Sequence, residues 1–482
     1  MSGPRTSDQG ALAGALARPA RGAEVELFIE SLAYGGEGVA RYGEGGYVIF
    51  VAGAIPGDRV RAHVYKAKRA YAHARTLQLL EPSPERIAPV APHPGAPWQV
   101  LPYERQLEVK SAQVQEALVR IGGLAGFELQ PILPAAERWR YRNKIELSFG
   151  SDEQGALVLG FHAPARWNRV VGIEDCLLAS ERVNRALRAV AAWAAGQGLR
   201  AWQRSVGTPA QPAAVPADGR ARLRNLVLRE GRRSGTLQAR LVTTPGEIEL
   251  AGFIAALQGA LGEEELSGVL WSRSDRLAET TAGGATELLH GSSELSERLG
   301  GLTFRIGPEA FFQTNTEMAE VLYSVAGELA QLQGGELLFD LYCGLGSIGL
   351  FLAERVREVV GIELEESAVA GARRAAAENG IEHATFYAGE ARRLLGAVLE
   401  RHGRPDVVVV DPPRAGLGRR AVEALIAIAP ARVVYVSCNP TTLAADAARM
   451  CEAGYALRQV RPVDMFPQTH HIECVAALER SS

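Results

Sequence analysis

The chain has 482 residues, 47% hydrophobic and 22% charged, with a formal charge of −3. That balance excludes a largely disordered chain, and at roughly 150 residues per domain it leaves room for about three domains. No apolar run reaches the ~18–20 residues of a membrane span, the Ala11–Ala17 run lacks signal-peptide flanks, and five cysteines are too few for a disulfide scaffold, so a cytoplasmic protein without a membrane partner is expected.

Only Lys66, Lys68, Lys110 and Lys144 are lysines; every other basic residue is arginine. With so much Ala and Gly, this points to a GC-rich coding bias and is no evidence for phosphate binding.

Residues 1–20 are small and turn-prone and read as a disordered tail. Residues 24–80 read as five short strands with Gly-rich turns, the pattern of a small OB-like β-barrel. Within it, Arg59 to Arg75 holds six basic residues, no acid, and the interleaved Tyr65 and Tyr71, a mixture suited to a nucleic-acid backbone with stacked bases. Glu81–Pro102 carries seven prolines and reads as a linker. Tyr103 to Ile121 reads as one amphipathic helix with Leu107, Val114, Leu118 and Ile121 on one face. Residues 131–300 are mixed. Two basic clusters stand out there, Arg138 to Lys144 and Arg220 to Arg233, and residues 204–219 read as a surface loop.

From about residue 334 strands and helices alternate. Strands are expected at Leu337–Leu341, Val359–Glu363, Ala384–Tyr387, Val407–Val410, Val433–Val436, Leu457–Val463 and Ile472–Leu478. This is a doubly wound α/β sheet, its last strand antiparallel because only a short loop precedes it.

Ligands of such sheets bind beyond the carboxyl ends of the strands. The first strand ends in Asp340-Leu-Tyr342-Cys-Gly-Leu-Gly-Ser347-Ile-Gly349, a glycine loop entering a helix. The second ends in Glu363, placed to meet ribose hydroxyls, and the third leads to Glu390. The set fits a nucleoside cofactor without a pyrophosphate, S-adenosylmethionine (SAM) better than NAD. The fourth strand ends in Asp411-Pro-Pro-Arg414, a rigid turn. The fifth ends in Ser437-Cys438-Asn-Pro, a candidate nucleophile, whereas Cys343 and Cys451 read as packing. Glu473, at the start of the antiparallel strand, falls at the same edge. His470 and His471, as neighbours on a strand, would point to opposite faces, so no metal site is expected.

A SAM pocket, a thiol and a carboxylate together suit one chemistry. Carbon 5 of a pyrimidine is a poor nucleophile until a thiolate adds to carbon 6. After methyl transfer a base must remove the carbon 5 proton so that the thiolate can leave.

With Phe311-Phe312-Gln313-Thr-Asn315, Asp340 to Gly349, Asp411-Pro-Pro-Arg414, Ser437-Cys-Asn-Pro440 and His471-Ile-Glu473 in order, the chain resembles the RNA (uracil-5-)-methyltransferases. Residues 21–80 resemble a TRAM domain, which members acting on 23S ribosomal RNA often carry and the tRNA branch usually lacks. The resemblance implies Cys438 as nucleophile, Glu473 as base, and Gln313, Tyr342, Glu363, Glu390 and Asp411 as SAM contacts. Ser347 stands where many members have Asn. Relatives hold an iron–sulfur cluster on four cysteines; here Ala91, Pro97 and Val100 replace three of them and Cys176 is the fourth, so no cluster is expected and the loop is expected to keep its shape by apolar packing around Trp98.

The expected organisation is a tail over 1–20, a TRAM barrel over 21–80, a mixed central RNA-binding domain over 81–300 and a Rossmann-like SAM-dependent methyltransferase domain over 301–482. The expected function is methylation of a uridine in 23S ribosomal RNA by a cytoplasmic monomer, with tRNA uridine-54 as the alternative substrate. Intact Cys438 and Glu473 argue against a non-catalytic RNA chaperone. Pro412-Pro413 stand where RNA cytosine-5 enzymes usually carry their Cys.

Overall fold

The computed structural model describes residues 18–164, 166–202, 218–276, 281 and 283–481. Apart from residues 18–20 and 218–219, the tail expected over 1–20 and the loop expected over 204–219 lie outside them. The chain forms two compact units, Met1–Pro89 with Val100–Pro102, and Val90–Gln99 with Tyr103–Ser482.

The first unit has six strands rather than five, because Ser31–Leu32 makes a separate two-residue strand. Alternation decides which side faces in: Tyr47, Ile49 and Val51 are buried along Tyr47–Ala52, as are Val60, Ala62 and Val64 along Arg59–Ala67. Just past the first strand, Glu30 N donates to Val39 O at 2.8 Å and brings the sheet edges together. Buried Asp58 accepts from Ile55 N and Ser83 N, both at 2.9 Å, and from Arg86, which fixes the turn after Ile55.

In the second unit a seven-stranded sheet spans Lys144–Gly291, with helices Glu181–Gly196 and Ala251–Leu261 packed on one face. Beyond it an eight-stranded sheet runs in the order Ala384–Ala388, Glu358–Glu363, Leu337–Leu341, Val407–Val410, Arg432–Ser437, Glu473–Arg480, Tyr455–Val463, Glu128–Leu129. The first five strands are parallel, and Glu473–Arg480 is antiparallel to both neighbours, as its short approach demands. Both faces are covered: Leu338, Val407, Val409, Val434 and Val436 join one core, and Phe339, Val408, Val410, Val433 and Tyr435 the other. Each fully buried Val contributes about 1.5–3 kcal/mol. Among the described residues no helix is long and apolar enough to cross a membrane.

The amphipathic helix differs from its expected form. Tyr103–Glu116 is α-helical, and Ala117–Ile121 opens into a π turn. The wider turn rotates the stripe, so Val114 and Leu118 are buried while Ile121 is 57% exposed. Most arginines of the two basic clusters are consumed internally. Arg140 forms a two-pronged pair with Asp175 and donates to Cys176 O and Ala179 O. Arg229 donates to Gly307 O and Ala310 O, and Arg232 pairs with Glu317.

Candidate active site

The period of two along each strand gathers the site. Asp340, Asp411 and Cys438 share parity with Leu338, Val409 and Val436, and Glu473 with Val475, all residues of the core under the helix Thr316–Ala330. They emerge on one face at the carboxyl edge, where that helix begins. Asn315 caps it by accepting from Met318 N and anchors Met465 O. The neighbouring Gln313 is buried, and its backbone carbonyl accepts from Asn143 Nδ2 at 2.9 Å.

The glycine loop is tightly constrained. Gly346 caps the helix Ser347–Leu352 at φ +70°, and a Cβ there would lie 2.7 Å from the Phe386 ring. Tyr342 takes φ +64° without being glycine, backbone strain stored at the loop's start. Glu363 is locked by its surroundings: Oε2 accepts from Gly344 N at 3.1 Å, and Oε1 from Leu364 N and Glu365 N. Tyr342, Glu363, Leu364, Glu390, Leu417 and Arg420 line a cleft of about 240 Å³. Glu390 is half-exposed and paired with Arg392 and Arg393, which hold its carboxyl below the usual range.

Residues of this kind fit an adenosyl group. The cleft offers a carboxylate with a fixed direction and apolar walls, and Asp340 Oδ1 is buried without a partner while Oδ2 accepts from Gly349 N. Burial pushes Asp340 and Asp411 up to about 7 each. Leu364, 65% exposed beside Glu363, escaped sequence reasoning; its signal is an apolar residue in a turn directly after the acidic strand tip. Ser347, in the position where many relatives carry Asn, is bonded to the Tyr323 hydroxyl at 2.8 Å.

Asp411 also lies within electrostatic reach of a thiol–carboxyl pair, Cys438 and Glu473. The Cys438 thiol is pushed up to about 11 by burial, with the Glu473 charge adding to it and Arg414 opposing. Glu473 is held well above the usual carboxylate range by burial and by Asp411, and its Oε2 has no hydrogen-bond partner. Asn439 ties the two loops together. Its Nδ2 donates to Arg414 O at 2.9 Å, and its Oδ1 caps the next helix through Thr441 N. Arg414 reaches His471 Nδ1 at 3.2 Å. The two histidines depart from expectation. They lie in the turn before the strand, so strand alternation does not separate them, and their rings face each other at 4.2 Å. Burial drives His470 down to about 4 and His471 to about 3, leaving both neutral. Among the described residues no cluster of three or more His, Cys, Asp or Glu is arranged for a metal.

Cys176 is buried in the central core. Trp98 is buried too, but the loop before it is also held by polar bonds that apolar packing did not foretell: the Gln99 amide accepts from Val90 N and donates to Ala91 O, both at 2.9 Å.

In the first unit, Phe50, Tyr65, Tyr71 and His73 form a ring cluster with centroids 5.4–6.1 Å apart. Exposed Lys66, Lys68 and Arg69 lie on the same hairpin, and Glu37 pairs with His73 at 3.1 Å.

A Rossmann-like sheet whose carboxyl edge carries a glycine loop, a carboxylate beside a cleft and a thiol has the form of a SAM-dependent methyltransferase. The chain matches the tRNA (uracil-5-)-methyltransferase family model over residues 293–481 and the TRAM domain model over residues 19–77. It is 36% identical to an uncharacterised RNA methyltransferase of Chlorobaculum tepidum, over 90% of this chain and 92% of that one. It is 38% identical to another of Gloeobacter violaceus, over 96% and 97%. The crystal structure of Pyrococcus abyssi tRNA (uracil-54, C5)-methyltransferase in complex with S-adenosyl-L-homocysteine superposes with a TM-score of 0.71 at 28% identity, covering 94% of this chain and all of that one. The chain belongs to the RNA (uracil-5-)-methyltransferase family and carries a TRAM domain at its N-terminus.

Proposed function

We propose that this enzyme methylates carbon 5 of a uridine in 23S ribosomal RNA through a covalent adduct on Cys438. The observation that carries the reading is the placement of Cys438 opposite Glu473, beside the cleft that Glu363 and the glycine loop define. SAM, when bound there, supplies the methyl group; Tyr342, Glu363, Glu390, Asp411 and Gln313 would hold the cofactor. Cys438, as thiolate, adds to carbon 6 and makes carbon 5 nucleophilic. Once carbon 5 carries the methyl group, Glu473 takes its proton, the carbon 5–carbon 6 double bond re-forms, and the sulfur–carbon bond breaks. A carboxyl whose pKa is raised is the stronger base for that proton. The target base must be flipped out of its loop to reach the half-buried thiol. The ring cluster and cations of the TRAM unit supply stacking and backbone contact. Five free cysteines fit a monomer working in the cytoplasm.

The TRAM domain favours ribosomal RNA. The similarity to the Pyrococcus tRNA enzyme across 94% of the chain favours tRNA as the second reading. Labelled SAM with size-fractionated total RNA from a strain lacking the gene separates them: label as 5-methyluridine is expected in the 23S fraction, and label in tRNA instead overturns the ribosomal assignment. Cys438→Ala is expected to abolish transfer, and Glu473→Gln to leave an RNA–protein adduct that shifts on a denaturing gel. Normal mobility of Glu473→Gln after incubation with RNA and SAM counts against the mechanism.

A further inference from the structure

Asp464 to Thr469 form a strap between the strands Tyr455–Val463 and Glu473–Arg480, and nearly every residue of it is tied to chain far away in sequence. Lys110 Nζ lies 2.6 Å from Asp464 Oδ1 and 3.1 Å from Phe466 O. The Tyr103 hydroxyl donates to Asp464 Oδ2 at 2.8 Å and accepts from Ala135 N at 2.7 Å. Asn315 holds Met465 O, and the Tyr141 hydroxyl donates to Pro467 O at 3.0 Å. Gln106 clamps Gln468 twice: Oε1 accepts from Gln468 N and Nε2 donates to Gln468 Oε1, both at 2.9 Å. Trp98 N donates to Gln468 O at 3.0 Å. Gln468 is thereby kept at φ +66°, a left-handed conformation unusual for a residue with a side chain.

Lys110 and Asp464 are fully buried. A buried ion pair adds little net stability over an apolar pair of the same volume, yet it tolerates only one arrangement of its partners. The strap's next ordered element begins at Glu473, whose carboxyl must meet a proton on a substrate atom. That carboxyl's Oε2 has no hydrogen-bond partner, and its backbone pairs with Val463, the residue just before the strap, so the carboxyl is placed by strand ends that the strap joins and holds.

We propose that the Lys110–Asp464 pair, with the Gln106–Gln468 clamp, is a positioning device for Glu473, so that Lys110, on a helix distant in sequence from the motifs, governs the proton-removal step. This rests on the adduct mechanism above. The test compares Glu473→Gln, the double variant Lys110→Met/Asp464→Asn, which replaces the ion pair by neutral groups of similar volume, and Gln106→Leu, which cuts the clamp and leaves the ion pair. With RNA and SAM, the double variant is expected to bind RNA with unchanged KM, to lose on the order of 10²-fold in kcat, and to accumulate the methylated RNA adduct that Glu473→Gln accumulates. A fold defect alone lowers the active fraction and leaves no adduct. Should the double variant fail to fold, Gln106→Leu decides by the same adduct readout. If Glu473→Gln forms adduct while the folded variants turn over without it, the positioning role is wrong. If Glu473→Gln itself forms none, the adduct mechanism fails first.

Discussion

Cys438 and Glu473 sit one rung beyond the last paired residues of two antiparallel strands. Ser437 opposes Cys474 in that ladder, and the register carried one step further sets Cys438 across from Glu473. Directly opposed residues of an antiparallel pair share a face with Cβ atoms about 4.5–5.5 Å apart. The thiol and the carboxyl are therefore brought together by sheet geometry, although 35 positions separate them in the chain. The cost is electrostatic. Burial and the facing carboxylate both disfavour the thiolate, and the Cys438 thiol is pushed up to about 11.

That cost has a measurable sign. Below its pKa an acid's ionised fraction rises about tenfold per pH unit, so alkylation of Cys438 by a small neutral reagent should accelerate steadily from neutral pH into the alkaline range. Glu473→Gln removes one of the causes and leaves burial and the Asp411 charge, so its alkylation profile should move to lower pH without reaching that of an exposed thiol. A profile that stays in place would show that Glu473 does not bear on the thiol.

Glu363 should govern donor affinity. Its carboxylate is already spent on Gly344, Leu364 and Glu365 N–H groups, which leaves its outward lone pairs aimed at the cleft. A hydrogen bond to a charged group contributes about 1.5–3 kcal/mol, or one to two orders of magnitude in Kd. Glu363→Ala should weaken SAM binding by about that factor in calorimetry, and Glu363→Gln by less, because it keeps an acceptor. Equal Kd values for wild type and Glu363→Ala would remove Glu363 from the site.

The strands and the edge residues were legible because hydrophobic runs such as Val407–Val410 and Val433–Val436 announce a sheet buried on both faces, and strand parity is a local property. Cys438, Glu473, Asp411 and Glu363 all fall just after or at the start of such runs. Other features carry no local signal. Glu128–Leu129 is too short to show a period, yet it closes the sheet's edge beside Tyr455–Val463. Lys110 falls on the same helix face as Leu107 and Val114, three residues from one and four from the other, but nothing local shows what a charged residue on that face meets; only its contact with Asp464, 354 residues away, does. His470 and His471 precede even the expected strand Ile472–Leu478, and with the strand beginning at Glu473 they lie in the turn leading to it, where period-two alternation does not apply.

Gly346 tests the loop's tolerance. Alanine there must adopt φ +70° and place its Cβ 2.7 Å from the Phe386 ring and 3.2 Å from Ala372. The left-handed conformation costs roughly 1–2 kcal/mol and overpacking about 1–3 more. Gly346→Ala should lower Tm and SAM affinity together, and an unchanged melting curve would show that the loop has room the geometry denies.

Asp340 should leave its mark on stability rather than on the chemical step. Its folded pKa is raised to about 7 from an ordinary value of 3.8, chiefly by burial. The unfolded chain therefore releases the proton first as pH rises. Below about pH 4 the group is protonated in both states and costs nothing; between about 4 and 7 the unfolded state ionises while the folded state resists, so stability falls across that window. Asp340→Asn has no proton to lose and still offers an oxygen to Gly349 N. Its stability should decline less than wild type between pH 4 and 7, measured by denaturant midpoint at matched ionic strength. Parallel curves for the two proteins would mean that Asp340 ionises in the folded state as readily as in water, and that its buried, unpartnered oxygen is solvated after all.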